Sequence, residues 1–190
     1  MAIKTFTAGE VLTASDTNTF LANSGLVYVT SASFTGVTAA APFNVTSCFS
    51  GTYTNYRLVL NITGGTINVG ANLQLLSGTT PATGTDYRFA SMGVQSNANA
   101  NNDGSTVANS LQLTNLTQNA LAGVAVDVYQ PNKAQKTNFF GDWLYDDGGT
   151  LLYRRYGCIH NVASAYNGFR LLATSGSITG SIIIYGYREA

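Results

Sequence analysis

Three groups of residues have the types and spacing for chemistry. The segment Gly141–Thr150, "GDWLYDDGGT", holds Asp142, Asp146 and Asp147 close together. Paired carboxylates serve glycoside hydrolysis, and clustered carboxylate oxygens serve calcium. The same letters also suit a plain hairpin, since Asp-Asp-Gly-Gly is turn chemistry. The second group is Tyr156, Cys158 and His160, which alternate along one strand face and include the only histidine. A thiol beside an imidazole is the start of a nucleophile pair. No acid is placed by the sequence to orient that imidazole, and a packed structural histidine explains the pattern equally well. The third group is aromatic: 11 tyrosines, 9 phenylalanines and the single Trp143 lie in a chain rich in Asn, Thr and Gln. Exposed rings in such company suit stacking on sugars, although strand alternation sends most of them to a core or to subunit contacts.

None of these amounts to a catalytic set. No phosphate-binding loop, nucleophile elbow or zinc-ligand spacing occurs, so the expectation is a non-enzyme without metal or cofactor. Cys48 and Cys158 are too few for a disulfide framework and read as buried thiols.

Composition narrows the class further. Only 9% of the 190 residues are charged, with nine of each sign and a net charge of zero. Soluble domains usually carry roughly 25%. Without a basic excess there is no electrostatic drive toward nucleic acid or an anionic membrane. A neutral surface also gives little mutual repulsion, which suits a subunit that works assembled. No run approaches the roughly 18 apolar residues of a membrane span, so no membrane insertion is expected. The start of the chain lacks a signal-peptide core, which predicts cytosolic synthesis.

The elements that would position these residues fall into two parts. Residues 1–25 read as an arm with a short helix: Thr13 can cap it, Asp16 suits the positive end of its dipole, and Gly25 suits its stop. A helix of about ten residues is marginal alone. Its apolar residues Phe6, Val11, Leu12, Phe20 and Leu21 therefore need a partner surface, and the arm is read as a docking element.

From 26 to 190 the period is two. In "INVGANLQL", Ile67, Val69, Ala71, Leu73 and Leu75 share a face; in "YRLVLNI", Tyr56, Leu58, Leu60 and Ile62 do. The linking Thr63-Gly64-Gly65-Thr66 predicts that these two runs pair as a hairpin. "TNFFGDWLY" with "TLLYRRYGCI", and "FRLLAT" with "ITGSIIIYGY", carry the same hairpin signature, while "TVANSLQLT" reads as one continuous strand. Nine to eleven strands without crossover helices predict an all-β fold, an antiparallel β-sandwich or jelly roll. The last strand is apolar on both faces: Ile182 and Ile184 fit a core, which leaves Ile183, Tyr185 and Tyr187 to a neighbour. Gln95–Ser110, poor in apolar residues, reads as a long exposed loop. Its Asn97, Asn99, Asn101, Asn102 and Asp103 are the candidate ligand-facing residues.

Both ends resemble a known group. "MAIKTFTAGEVLTASDTNTFLANSGLVYV" carries a T-F-x-x-G-x-x-L-x-A-S-D-x-N-x-x-L pattern and is similar to the start of small virion structural proteins of tailed bacteriophages. "GFRLLATSGSITGSIIIYGYR" resembles the closing segment of such chains, and "FSGTYTNYRLVLN" their recurring Tyr-x-x-Tyr strand. The resemblance implies a virion protein assembled in the bacterial cytoplasm, displayed outside the particle and docked to other virion proteins through residues 1–25. It implies self-association, a homotrimer by analogy, in a tail fibre or adhesin that touches a host surface glycan. A capsid decoration or head-fibre protein is the alternative, and a glycan depolymerase a more distant one.

Overall fold

Strand-forming residues dominate the described chain, and the reason is local. Val, Ile, Thr, Tyr and Phe crowd χ1 in a helix and fit a pleated surface. A computed structural model describes residues 7–11, 13, 25–65, 67–146 and 149–188. Among them there is no helix, and 13 strands follow in order. They are β1 (Leu26–Val37), β2 (Phe43–Val45), β3 (Asn55–Gly64), β4 (Val69–Ser77), β5 (Thr80–Pro81), β6 (Tyr87–Gln95) and β7 (Asp103–Ala108), then β8 (Leu111–Leu116), β9 (Leu121–Tyr129), β10 (Gln135–Asp146), β11 (Leu151–Ser164), β12 (Gly168–Ala173) and β13 (Ile178–Tyr187).

All pairings are antiparallel, in two sheets. The larger runs β1-β13-β3-β9-β10-β11-β6-β7; the smaller runs β2-β12-β4-β5, with β8 on the same edge of β4. One core lies between them. Tyr56, Leu58, Leu60 and Ile62 of β3, Val124, Val126 and Val128 of β9, and Ile182 and Ile184 of β13 point inward from the larger sheet. Leu73 and Leu75 of β4, Leu111 and Leu113 of β8, and Phe169 and Leu171 of β12 belong to the same buried cluster. Burying one such side chain contributes about 1.5–3 kcal/mol, so this alternation is what holds the sheets together.

The connections differ from the sequence expectation in an instructive way. The runs "YRLVLNI" and "INVGANLQL" are not a hairpin: β3 pairs with β13 and β9, while β4 pairs with β12, β5 and β8. β12 and β13 likewise sit in different sheets, joined through Gly176, whose φ of 53° is open to glycine at little cost. Each short glycine turn swings the chain across the core rather than back alongside itself. Both arrangements bury the same alternate residues. β10 and β11 do form the expected hairpin, in register from Asp146↔Leu151 to Thr137↔His160.

Two further expectations change. "TVANSLQLT" divides at Asn109 and Ser110 into β7 of the larger sheet and β8 of the smaller one. The segment 95–110 is not one long loop: β7 occupies 103–108 and pairs with β6, which leaves a loop of residues 96–102. The polar letters of β7 hid the strand because it is an edge strand with little to bury.

Of the arm, residues 7–11, Thr13 and Gly25 are described. Thr7 to Glu10 make a turn, with the Glu10 amide donating to the Thr7 carbonyl at 3.0 Å and the Thr7 amide to Glu10 Oε2 at 3.2 Å. Val11 is exposed. The helix expected after Thr13, and Phe6, Leu12, Phe20 and Leu21, lie outside the described residues.

Candidate functional site

Strand alternation gives the larger sheet an outer face as well as an inner one. Register fixes which residues lie side by side on it. One row crosses all eight strands: Tyr28, Tyr185, Arg57, Asp127, Phe140, Gly157, Ala90 and Gly104. The next row carries Ser31, Ile183, Val59, Ala125, Asp142, Arg155 and Met92. Side-chain height falls abruptly after Phe140, because its three neighbours in the row have no side chain or only a methyl group.

That drop makes a trough. On one side of Phe140 a cleft of about 720 Å³ is bounded by Met92, Asn102, Asp127, Tyr129 and Arg155, with Gly157 and Ala90 beneath. On the other side a cleft of about 410 Å³ uses the same Phe140, Gly157 and Ala90 and runs on to Arg88, Asn138 and Ile159. The trough thus follows β6 and β11. From Arg88 to Met92 it is about 13 Å long at the usual rise per residue. Phe140 stands 59% exposed and Met92 68% exposed at its side. The Phe140 ring meets Tyr129 edge to face, with centroids 5.9 Å apart and planes at 88°. A contact of that geometry fixes the ring while leaving its open face to solvent.

The charges around the larger cleft are already matched. The Tyr187 hydroxyl donates to Asp127 Oδ1 at 2.6 Å, and Arg57 lies 3.4 Å from the same oxygen. Arg155 Nε lies 3.3 Å from Asp142 Oδ1, which also accepts from the Tyr153 hydroxyl at 2.6 Å. That bond holds the Tyr153 phenol above its ordinary pKa, because ionising it would set an anion against the Asp142 carboxylate. The face therefore offers donors and acceptors of both signs without a net charge.

The sequence candidates fall as follows. Asp142 and Asp146 both point outward from β10, four residues apart, or roughly 13 Å along a strand. That exceeds both carboxylate separations used in glycoside hydrolysis. Asp147 lies outside the described residues. Among the described residues no group of three or more His, Cys, Asp or Glu is placed to hold a metal.

Tyr156, Cys158 and His160 point inward. His160 is 1% exposed, its Nδ1 is 3.3 Å from the Tyr166 hydroxyl, and its ring packs on Tyr87 at 4.5 Å. Burial lowers its pKa, with Asp86 opposing. Burial also pushes the Cys158 thiol up to about 12, and Cys48 likewise to about 12. A thiol so far from ionising is a poor nucleophile at neutral pH, and no substrate reaches it.

The asparagine segment is only partly free. The Asn97 side chain accepts from the Asn99 amide at 3.1 Å, and the Asn101 amide donates to the Gly93 carbonyl at 2.9 Å. Asp103 is in β7, 3.6 Å from the buried Arg154, whose guanidinium also sits 5.5 Å over Trp143. Of the five residues, Asn102 lines the trough.

Ile183, Tyr185 and Tyr187 do point outward, half-buried among their neighbours on the outer face. Tyr28 packs edge to face on Tyr185 at 6.5 Å. The sequence reading missed Phe140, Gly157, Ala90, Met92, Arg155 and Tyr129 as a group. They come from four strands, and only the register joins them.

No protein-family model and no curated protein matches the sequence. Among solved structures, a fructofuranosidase variant from Schwanniomyces occidentalis complexed with fructosylnystose is similar over 86% of this chain and 34% of that one. The identity is 9% and the TM-score 0.24, and the chain spans about a third of that protein's length. A likeness at that level carries no argument about fold or activity.

Proposed function

We propose that this chain is a structural protein of a tailed-bacteriophage virion, displayed on the particle exterior and docked to other virion proteins through residues 1–25. It acts as a tail-fibre or adhesin subunit and is a homotrimer. The observation that carries this reading is the outer face of the larger sheet. Tyr28, Met92, Val94, Tyr129, Phe140, Leu144 and Tyr153 are all exposed on it, in a chain with a net charge of zero. Large exposed apolar side chains gathered on one face mark an interaction site. Its half formed by β1, β13 and β3, with Tyr28, Val59, Ile183 and Tyr185, is the subunit contact.

Strand order supports the finer architecture. Two facing sets, β1-β13-β3-β9 and β2-β12-β4-β8, put the first and last strands side by side, as two Greek keys do in a jelly roll. β10, β11, β6 and β7 extend the first set. Jelly rolls serve both viral shells and lectins.

The test is deletion of residues 1–25. The expected product keeps its β-sheet circular dichroism and cooperative melting but no longer enters particles. Normal incorporation of the truncated chain would overturn the docking role. Labelling the subunit in electron micrographs separates the assignments: label on the tail supports the fibre, and label on the shell replaces it with a capsid decoration or head fibre.

A further inference from the structure

We propose that the trough beside Phe140 binds a neutral saccharide chain of several units, laid along β6 and β11. The inference deepens the adhesin reading and rests on it for the source of the saccharide.

Shape comes first. The trough is open to solvent along its length, and the clefts on either side of Phe140 share one floor. An enclosed pocket suits a small ligand; a long open trough suits a chain of several units. Its floor is flat because Gly157, Ala90 and Gly104 are consecutive in one register row. A Cβ at Gly157 would meet the Phe140 ring at 3.5 Å, ordinary contact, so the ring lies low beside the floor and its far face stays free.

Chemistry comes next. A pyranose ring has an apolar face of C–H groups and a rim of hydroxyls. Phe140 supplies an aromatic plane for the first, held still by Tyr129. Arg155, Asp127 and Asn102 supply the second. They are planar groups, each able to grip two neighbouring hydroxyls at once, which is the arrangement of a mostly apolar site with a few orienting polar groups.

Charge decides between ligand classes. Arg155 is paired with Asp142, and Asp127 with Arg57 and Tyr187. In the larger cleft a phosphate or a uronic acid gains no uncompensated cation and meets two carboxylates; Arg88, at the far end of the second cleft, is the one lining cation without an ion pair among the described residues. A basic peptide meets two guanidinium groups. A neutral polyhydroxyl chain suffers neither repulsion.

The test uses the purified full-length protein on an array of immobilised neutral oligosaccharides of four to eight units. Gluco-, galacto-, manno- and rhamno-series are included, with oligogalacturonate and heptalysine as charged controls. The expected result is retention of at least one neutral series. Phe140→Ala and, independently, Ala90→Leu weaken it tenfold or more, while Phe140→Trp retains it. Both positions are outward on strands, and unchanged melting temperatures verify folding. Retention of the charged probes alone, no retention of any neutral series, or full binding by the Ala90→Leu protein would overturn the proposal. These variants leave particle incorporation intact, so failure of the saccharide site and failure of the docking role are read separately.

Discussion

Tyr187, on the last strand, donates its hydroxyl to Asp127 on β9, at 2.6 Å, and so reaches across β3, which lies between them. Arg57 on β3 completes the contact at 3.4 Å from the same oxygen. Three strands are thus tied on the outer face at the end of the chain. Tyr187→Phe keeps the ring and removes the bond. The expected cost is about 1 kcal/mol, the usual net worth of one hydrogen bond in a half-buried setting. Urea unfolding measures it, and an unchanged midpoint would show that the contact adds nothing to stability.

Gly141 on β10 faces the core directly under the Tyr156 ring: a Cβ there would lie 2.5 Å from the ring and 2.8 Å from the Ala125 carbonyl oxygen. Gly141→Ala should cost about 1–3 kcal/mol through overpacking. Gly123 on the adjacent β9 has nothing within 4 Å of its Cβ position, so Gly123→Ala should be neutral or slightly stabilising. Melting temperatures of the two variants should therefore move apart.

His160 gives stability a pH dependence. Desolvation holds its folded pKa below the ordinary value of 6.5. As pH falls past 6.5 the unfolded chain takes up a proton that the folded chain still refuses, so unfolding is favoured. Its contribution is fully present above the unfolded value and is lost progressively as the pH falls below it. Urea midpoints at pH 7.5, 6.5 and 5.5 should decline in the wild type, and His160→Gln should flatten that decline whatever its effect on absolute stability.

Self-association is the fourth expectation. Light scattering on the purified chain at micromolar concentration should give three subunits, and Ile183→Lys, which places a charge on the outward face of β13, should give monomers with unaltered circular dichroism. A wild-type monomer would remove the subunit-contact role of β1, β13 and β3.

Alternation told which residues of β3, β9 and β13 are buried, but not of β4: Ile67, just before it, is exposed, and Gly70 and Gln74 of its other face are buried too. Leu58, Leu60, Leu73, Leu75, Ile182 and Ile184 all sit in the core as their period requires. It did not tell what each strand pairs with. Gly64-Gly65 between β3 and β4 permits a return alongside or a swing across, and the buried set is identical in both cases. The β10–β11 hairpin was legible because its strands are long and its turn letters specific. β7 was not, since an exposed edge strand has no apolar period to read.

The candidate site was the least legible part. Phe140, Gly157 and Ala90 lie on β10, β11 and β6, and nothing local distinguishes that phenylalanine from Phe139, its buried neighbour. The polar letters that drew attention, Asp142 and Asp103, turn out to be engaged by Arg155 and Arg154.

β1 pairs with β13 alone, a strand made about 150 residues later. At synthesis rates of 5–20 residues per second, a nascent β1 waits roughly ten to thirty seconds for a partner. β3, made about 30 residues after β1, waits a little less long for one of its two edges. The sheet therefore closes only once β13 has been made, and a product terminated before β13 leaves two adhesive edges bare at once. Quality control is thereby written into the connectivity: only a chain that reaches β13 can bury β1.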